Sequence, residues 1–168
     1  MASFGHVAVG IAAARVHDGA FRWKTMVALS TFSLLPDLDV IAFRFGIPYA
    51  APFGHRGASH SIGFAVIAAL AAWLLTRSWR STLALFAVVL SHPLLDALTD
   101  GGMGVALFWP FSDVRVFAPW TPIPVAPIGK GMLSMRGAYV LLVEAAVSIP
   151  FIFLAHRFAP KKPAVTAA

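Results

Sequence analysis

Long apolar stretches alternate along the chain with short polar breaks, as expected when each stretch forms a membrane helix. Since each crossing needs about 20 residues, the 168 residues leave room for one compact domain. We therefore predict an all-α, polytopic membrane helical bundle of four to five helices in residues 1–160, followed by a short basic, disordered tail in residues 161–168. The predicted helical stretches are residues 2–16, 25–45, 61–76, 83–98 and 137–156.

The first two stretches each carry a feature that shapes the expected fold. Residues 2–16 are few and follow no basic segment, so we expect a short or inclined membrane segment rather than a signal peptide. In residues 25–45 the helix should kink or end near Leu35, because the proline that follows has no backbone donor. Such a break places Asp37 and Asp39 at a helix end.

Two connections are rich in proline and glycine. Residues 46–59 have the composition of a loop. Residues 99–135 are too long for a plain turn and carry many aromatic side chains, so we expect them to fold over the functional site.

Composition supports a membrane protein and removes several kinds of chemistry. Hydrophobic residues make up 59% of the chain and charged residues only 12%, against about 25% charged in a typical soluble domain. The absence of cysteine excludes disulfides, thiolate zinc sites and cysteine nucleophiles. The net charge of +6 comes from basic residues spread between apolar stretches, so no nucleic-acid partner is expected.

The basic residues also give an expected orientation. With the tail in the cytoplasm, helix alternation puts eight of the thirteen basic residues on the cytoplasmic side, in agreement with the positive-inside tendency. The same alternation brings the acidic and histidine-containing ends of several helices to the outer face. The eight are Arg15, Arg22, Lys24, Arg77, Arg80, Arg157, Lys161 and Lys162.

Histidines and carboxylates converge on three motifs, LLPDLD, GHRGASH and SHPLLDALTD. Ionisable groups are costly in a bilayer, and imidazole with carboxylate is a ligand set for a divalent transition metal. His92 and Asp96 are one helical turn apart and can share an ion. We predict one or two ions, zinc or alternatively manganese, with ligands drawn from His6, Asp37, Asp39, His55, His60, His92 and Asp96.

Other interpretations of these residues stay open. A histidine and an aspartate four apart can simply be hydrogen-bonded, the LLPDLD pair can be a solvated loop, and His6 can be a buried histidine with ordinary partners. Arg56 can hold an anionic substrate or pair with a carboxylate. Asp37 or Asp100 is the expected general base, with Asp100 alternatively a ligand, an orienting group or a helix-end residue.

Taken in order, the Gly5–His6 pair, LLPDLD, GHRGASHS, SHPLLDALTDGG and FWPFSD resemble the membrane-bound, metal-dependent hydrolase family described as LexA-regulated and YdjM-like. The resemblance covers about residues 4 to 130. It implies an inner-membrane protein of bacteria. A more distant likeness is to zinc-dependent phospholipase C and related single-strand nucleases, which hydrolyse phosphodiesters at several zinc ions; this chain has fewer candidate ligands, which favours one or two ions.

The expected function is therefore a membrane-embedded, metal-dependent hydrolase with its site toward the outer face. Its expected partner is a membrane lipid or a lipid-linked molecule containing a phosphoester, cleaved by metal-activated water. Two alternatives are a transporter for metal ions or protons and a non-catalytic protein whose metal only joins its helices. The sequence predicts no oligomeric state.

Overall fold

The computed structural model describes residues 3–159, and the predicted tail at 161–168 lies outside them. Five α-helices are present in the described part: α1 Ser3–Asp18, α2 Trp23–Ser33, α3 Ile62–Thr76, α4 Trp79–Ala97 and α5 Met135–Phe158. Three 3₁₀ helices accompany them: Leu35–Phe45, Ala58–His60 and Gly129–Leu133. No β-strand occurs between residues 3 and 159, where pairing is limited to two isolated bridges. The all-α class is confirmed.

Helix α1 is the central element, packed against α2, α4 and α5. Its small residues allow this, since Ala8, Ala12 and Ala14 are buried against the neighbouring helices. At Gly10 a Cβ atom would stand 2.5 Å from the Ser30 Cα atom of α2, so only glycine permits this close crossing.

The predicted break near Leu35 is confirmed. Helix α2 ends at Ser33, and the 3₁₀ helix Leu35–Phe45 continues at an angle of 43° to it. The amide of Asp37 donates to the carbonyl of Leu34 at 3.1 Å, three residues back instead of four. The carbonyl of Ser33 is thereby left for another donor.

Few of the helices could cross a bilayer by length and apolarity. Helix α5 could do so alone, and α2 with the 3₁₀ helix Leu35–Phe45 would make a second, bent span. Helix α3 is apolar but has only 15 residues, about 22 Å of helix against about 30 Å of hydrocarbon. The predicted four to five spans are therefore not confirmed.

The connection at 99–135 folds back onto the bundle, as expected. The amide of Ala118 donates to the carbonyl of Ala97 at 2.8 Å, and that of Ala106 donates to the carbonyl of Arg56 at 3.0 Å. Its last part, at residues 125–129 and Met132, lines a cavity of about 480 Å³. Asp37 and Asp96 line the same cavity, so the connection lies beside the polar end of the bundle.

Candidate metal centre

Four side chains from three separate segments meet at this end of the bundle. His60 Nε2 lies 3.6 Å from Asp37 Oδ1 and 3.4 Å from Asp96 Oδ2. His92 Nε2 lies 3.3 Å and 3.8 Å from the same two carboxylate oxygens. The predicted pairing of His92 with Asp96 one turn apart is therefore present, within a larger cluster of Asp37, His60, His92 and Asp96.

The spacing in this cluster differs from that of hydrogen bonds. Nitrogen–oxygen hydrogen bonds are about 2.7–3.2 Å long, and the Nε2 atoms of His60 and His92 are both buried without one. Ligand atoms at the corners of a zinc tetrahedron, bonded at about 2.0–2.2 Å, lie about 3.3–3.6 Å from one another. Two imidazole nitrogens and two carboxylate oxygens at this spacing fit a divalent metal.

His92 is oriented by the broken helix. Its Nδ1 atom lies 2.6 Å from the Ser33 carbonyl, which the break in α2 leaves without its usual amide partner. Since a carbonyl only accepts, Nδ1 carries the proton and Nε2 keeps its lone pair toward the cluster. The bend at Pro36 thus both places Asp37 and fixes the tautomer of His92.

His60 is oriented in the same way by side chains. Its Nδ1 atom lies 3.0 Å from Ser59 Oγ and 3.1 Å from Asp39 Oδ2. The Ser59 hydroxyl donates to Asp39 Oδ2 at 2.6 Å, so it can accept the Nδ1 proton. His60 therefore also presents Nε2 to the cluster, as imidazole ligands of metals commonly do.

Asp39 and His55 form a hydrogen-bonded pair next to His60. His55 Nδ1 is 2.7 Å from Asp39 Oδ1, and the backbone amide of Arg56 donates to Asp39 Oδ2 at 3.1 Å. Asp39, His55 and His60 are close enough to hold an ion, but His60 would then have to use Nδ1. The geometry favours Asp39 as an orienting carboxylate.

His6 joins the cluster from α1. Its ring stacks on that of His92 with centroids 3.6 Å apart, and its Nε2 atom lies 3.5 Å from Asp96 Oδ1. Both of its ring nitrogens are buried without a hydrogen bond. Asp96 thus has one oxygen toward His60 and His92 and the other toward His6, an arrangement suited to a fifth ligand or a second ion.

Arg56 is held by the protein itself. Its Nε atom lies 3.1 Å from Asp96 Oδ2, and Nη1 donates to Thr99 Oγ1 and to the Gly101 carbonyl, each at 3.1 Å. Its φ of 61° is unusual for a residue other than glycine, and a residue held in such a conformation is often part of a functional site. Gly102, with φ of 85°, packs so closely on this guanidinium that a Cβ atom would lie 3.0 Å from Nη1.

The charges of the cluster act on His60. Burial lowers the pKa of this imidazole, but its contacts with Asp37, Asp39 and Asp96 outweigh burial and raise the pKa to about 10. The carboxylates therefore favour a positive charge at the centre, which a proton or a metal cation can supply.

Asp100 is not brought to the cluster. Its Oδ1 atom accepts from the Val125 amide at 2.6 Å and lies 3.8 Å from Arg136 Nη2, and both side chains of that ion pair are about half exposed. Helix α4 ends at Ala97, three residues before Asp100. Asp100 therefore does not continue the helix face that carries His92 and Asp96. Glu144, buried in α5, accepts from the Gly5 amide at 3.0 Å.

Comparison with known proteins identifies the family of this chain. The sequence matches the family described as YdjM inner membrane protein over residues 1–161. The chain belongs to this family. It is also similar to inner membrane protein YbcI of Escherichia coli (strain K12), with 48% identity over 118 residues that cover 67% of this chain and 68% of that protein. No solved structure matches.

Membership of the YdjM family confirms the resemblance noted from the motifs and the inner-membrane localisation. It gives no evidence of catalysis. The likeness to zinc-dependent phospholipase C stays a prediction.

Sequence reasoning missed several groups that shape the centre. The Ser33 carbonyl, Ser59 and Thr99 orient its side chains, and Arg115 donates to the His55 and Tyr49 carbonyls at 2.9 Å and 3.0 Å. Ser59 could have been noticed as the neighbour of a candidate ligand. Nothing in the sequence points to Arg115, which lies 60 residues from His55.

Proposed function

We propose that the protein is a metal-dependent hydrolase that cleaves a phosphoester in a lipid or lipid-linked substrate at the outer face of the inner membrane. The observation that carries this proposal is the set of buried Nε2 atoms of His60 and His92, which have no hydrogen bond and lie 3.3–3.8 Å from carboxylate oxygens. His60, His92, Asp37 and Asp96 would hold the ion, with His6 and Asp96 available to a second.

A bound zinc ion would supply a water of lowered pKa and a positive charge for the developing oxyanion. Asp37 is the most accessible of the four ligands, with its side chain 28% exposed. It lies on the cavity wall, where its second oxygen can take the proton of the attacking water. Arg56 keeps Asp96 in place and adds positive charge beside the cavity, which favours an anionic substrate.

The cavity supports an amphiphilic substrate. Its lining combines Asp37, His55, Arg56 and Asp96 with the apolar side chains of Val40, Val125, Pro127, Ile128 and Met132. A molecule with a phosphate head and an apolar tail would find charged and apolar contacts in the same cavity.

The first test is the metal content of detergent-purified protein, measured by elemental analysis for the wild type, His92→Ala and His60→Gln. His156→Ala serves as the control, because that histidine lies at the other end of the bundle, bonded to Arg15. We expect one or two equivalents in the wild type and the control and a loss in the two cluster variants, with circular dichroism confirming that each is folded. Absence of metal from all four proteins would refute the proposal.

A second test separates the enzyme from its alternatives. Hydrolysis by the metal-loaded protein is assayed with a chromogenic phosphodiester and with a single-chain lipid phosphate in mixed micelles. Zinc transport is assayed in vesicles that contain the protein and a zinc-sensitive dye. Metal-dependent hydrolysis of either substrate without dye response supports the hydrolase. Dye response without hydrolysis indicates a transporter, and a bound metal with neither result indicates a structural ion.

A further inference from the structure

A second polar cluster lies at the opposite end of the bundle, between the end of α1 and the start of α4. His17 Nδ1 lies 2.9 Å from Asp18 Oδ1, and His17 Nε2 lies 3.4 Å from Ser81 Oγ. His17 follows His6 by three turns of α1, about 16 Å along the helix axis, so this cluster is separate from the metal centre.

The order of the groups in the cluster suits a reactive serine. With the Nδ1 proton donated to Asp18, His17 Nε2 has a lone pair that faces the Ser81 hydroxyl across 3.4 Å. Ser78 lies 3.2 Å from Ser81 Oγ and caps the start of α4 by accepting from the Ser81 amide. The Ser81 hydroxyl donates to Ser78 Oγ, and rotation about its Cβ–Oγ bond turns the same proton to His17 Nε2, 3.4 Å away.

The cluster opens on an apolar groove of about 600 Å³ between α2, α3 and α4. Leu29, Phe32 and Leu75 are among its lining residues, while His17 and Ser81 lie at its polar end. Lys24 lines that same end. A groove of this volume with polar groups at one end suits a single long apolar chain attached to a polar group.

We propose that Ser81, His17 and Asp18 form a catalytic triad that cleaves carboxylic esters of long-chain acyl groups. Ser81 Oγ bonds to the ester carbonyl carbon while its proton passes to His17 Nε2, and Asp18 stabilises the resulting imidazolium. The bond to the leaving alkoxide then breaks, and the alkoxide takes the proton from His17. Water, activated by His17, releases the acyl group as a carboxylic acid and restores Ser81.

The start of α4 contributes to this chemistry. Ser81 belongs to the first turn of the helix; Ser78 accepts from its amide, and the amides of Trp79 and Arg80 in the same turn have no partners within the helix. Such donors stabilise the oxyanion of the tetrahedral intermediate. The triad uses no residue of the metal centre, so its success or failure is independent of the proposed phosphoesterase.

The test is covalent labelling of the full-length, detergent-purified protein with hexadecyl fluorophosphonate, followed by intact mass and peptide mapping. We expect one adduct, on Ser81, that forms faster than with ethyl fluorophosphonate because the groove accommodates the long chain. His17→Asn should slow labelling at least about 100-fold, since a general base contributes about 10²–10⁴ to such reactions. Ser81→Ala should take up no probe.

Ser134 is an internal control in every sample, because it also caps a helix start, that of α5, and its hydroxyl bonds to the Gly131 carbonyl and the Gly137 amide rather than to a histidine. Circular dichroism and gel filtration establish that the variants remain folded. Labelling of Ser134 at the rate of Ser81, equal labelling in His17→Asn, or no adduct on Ser81 would each overturn the triad.

Discussion

The two ends of the bundle contain the same residue types in different bonding states. At the candidate metal centre the Nε2 atoms of His60 and His92 are buried, without hydrogen bonds, and 3.3–3.8 Å from carboxylate oxygens. At the other end His17 contacts Asp18 at 2.9 Å, and Arg15 Nε donates to His156 Nδ1 at 3.3 Å. The presence of histidine and aspartate therefore does not by itself indicate a metal site; the candidate centre differs in having nitrogen and oxygen atoms that converge at 3.3–3.8 Å.

The largest difference between the ends should appear when one aspartate is removed from each. Asp96→Ala leaves the buried Arg56 guanidinium without its carboxylate, which costs about 3–5 kcal/mol of unfolding free energy. Asp18→Ala removes one hydrogen-bond partner of His17 and leaves no buried guanidinium without its carboxylate, so we expect about 1–2 kcal/mol. Denaturant unfolding in detergent measures both; equal losses would contradict the assignment of Arg56 as a buried ion-pair partner.

A second difference concerns pH. Because the cluster raises the pKa of His60 from 6.5 to about 10, protonated His60 stabilises the metal-free protein. This stabilisation is fully present below about pH 6.5 and is lost as the pH rises through about 10. The melting temperature of the metal-free wild type should therefore fall over this window. In His60→Gln that fall should be absent; a curve unchanged from the wild type would refute the explanation.

Removing an orienting group should have a smaller effect than removing a ligand. Asp39→Asn keeps the four proposed ligands but weakens the acceptor that fixes His55 and His60. We expect zinc affinity to fall about 10–100-fold while stoichiometry at saturating zinc is retained. Zinc titration against a competing chelator measures this, with the exposed Asp113→Asn as the control. Full loss of stoichiometry would instead make Asp39 a ligand.

The smallest effect is expected at Asp100. Asp100→Ala removes one hydrogen bond to the Val125 amide and a half-exposed ion pair, about 1 kcal/mol or less. Metal content should be unchanged. A loss of hydrolytic rate in this variant, with the metal retained, would return Asp100 to the role of general base predicted from the sequence.

Local patterns predicted much of this structure. Pro36 predicted the break after α2, and the four-residue spacing of His92 and Asp96 predicted that they share a face. The same spacing did not predict the position of Asp100. A four-residue spacing aligns side chains only within a helix, and α4 ends at Ala97.

The remaining features depend on contacts between distant segments. The bond from His92 to the Ser33 carbonyl joins residues 59 positions apart, and a backbone acceptor has no signature in the sequence. The roles of Asp39 and Arg56 likewise follow from where the loop before α3 meets the 3₁₀ helix and α4. Residue types indicated a metal, whereas the division between ligands and orienting groups required the fold.

The dispersal of the proposed metal ligands along the chain has a consequence for biosynthesis. Asp37, His60 and His92 come from successive segments, and His92 receives its orientation from the end of α2. Synthesis and membrane insertion must therefore proceed to the end of α4 before a complete site exists. During insertion the carboxylates would have no bound cation, so the first segments would be more stable near the aqueous surface than within the bilayer. Binding of the metal would then complete the maturation of the protein.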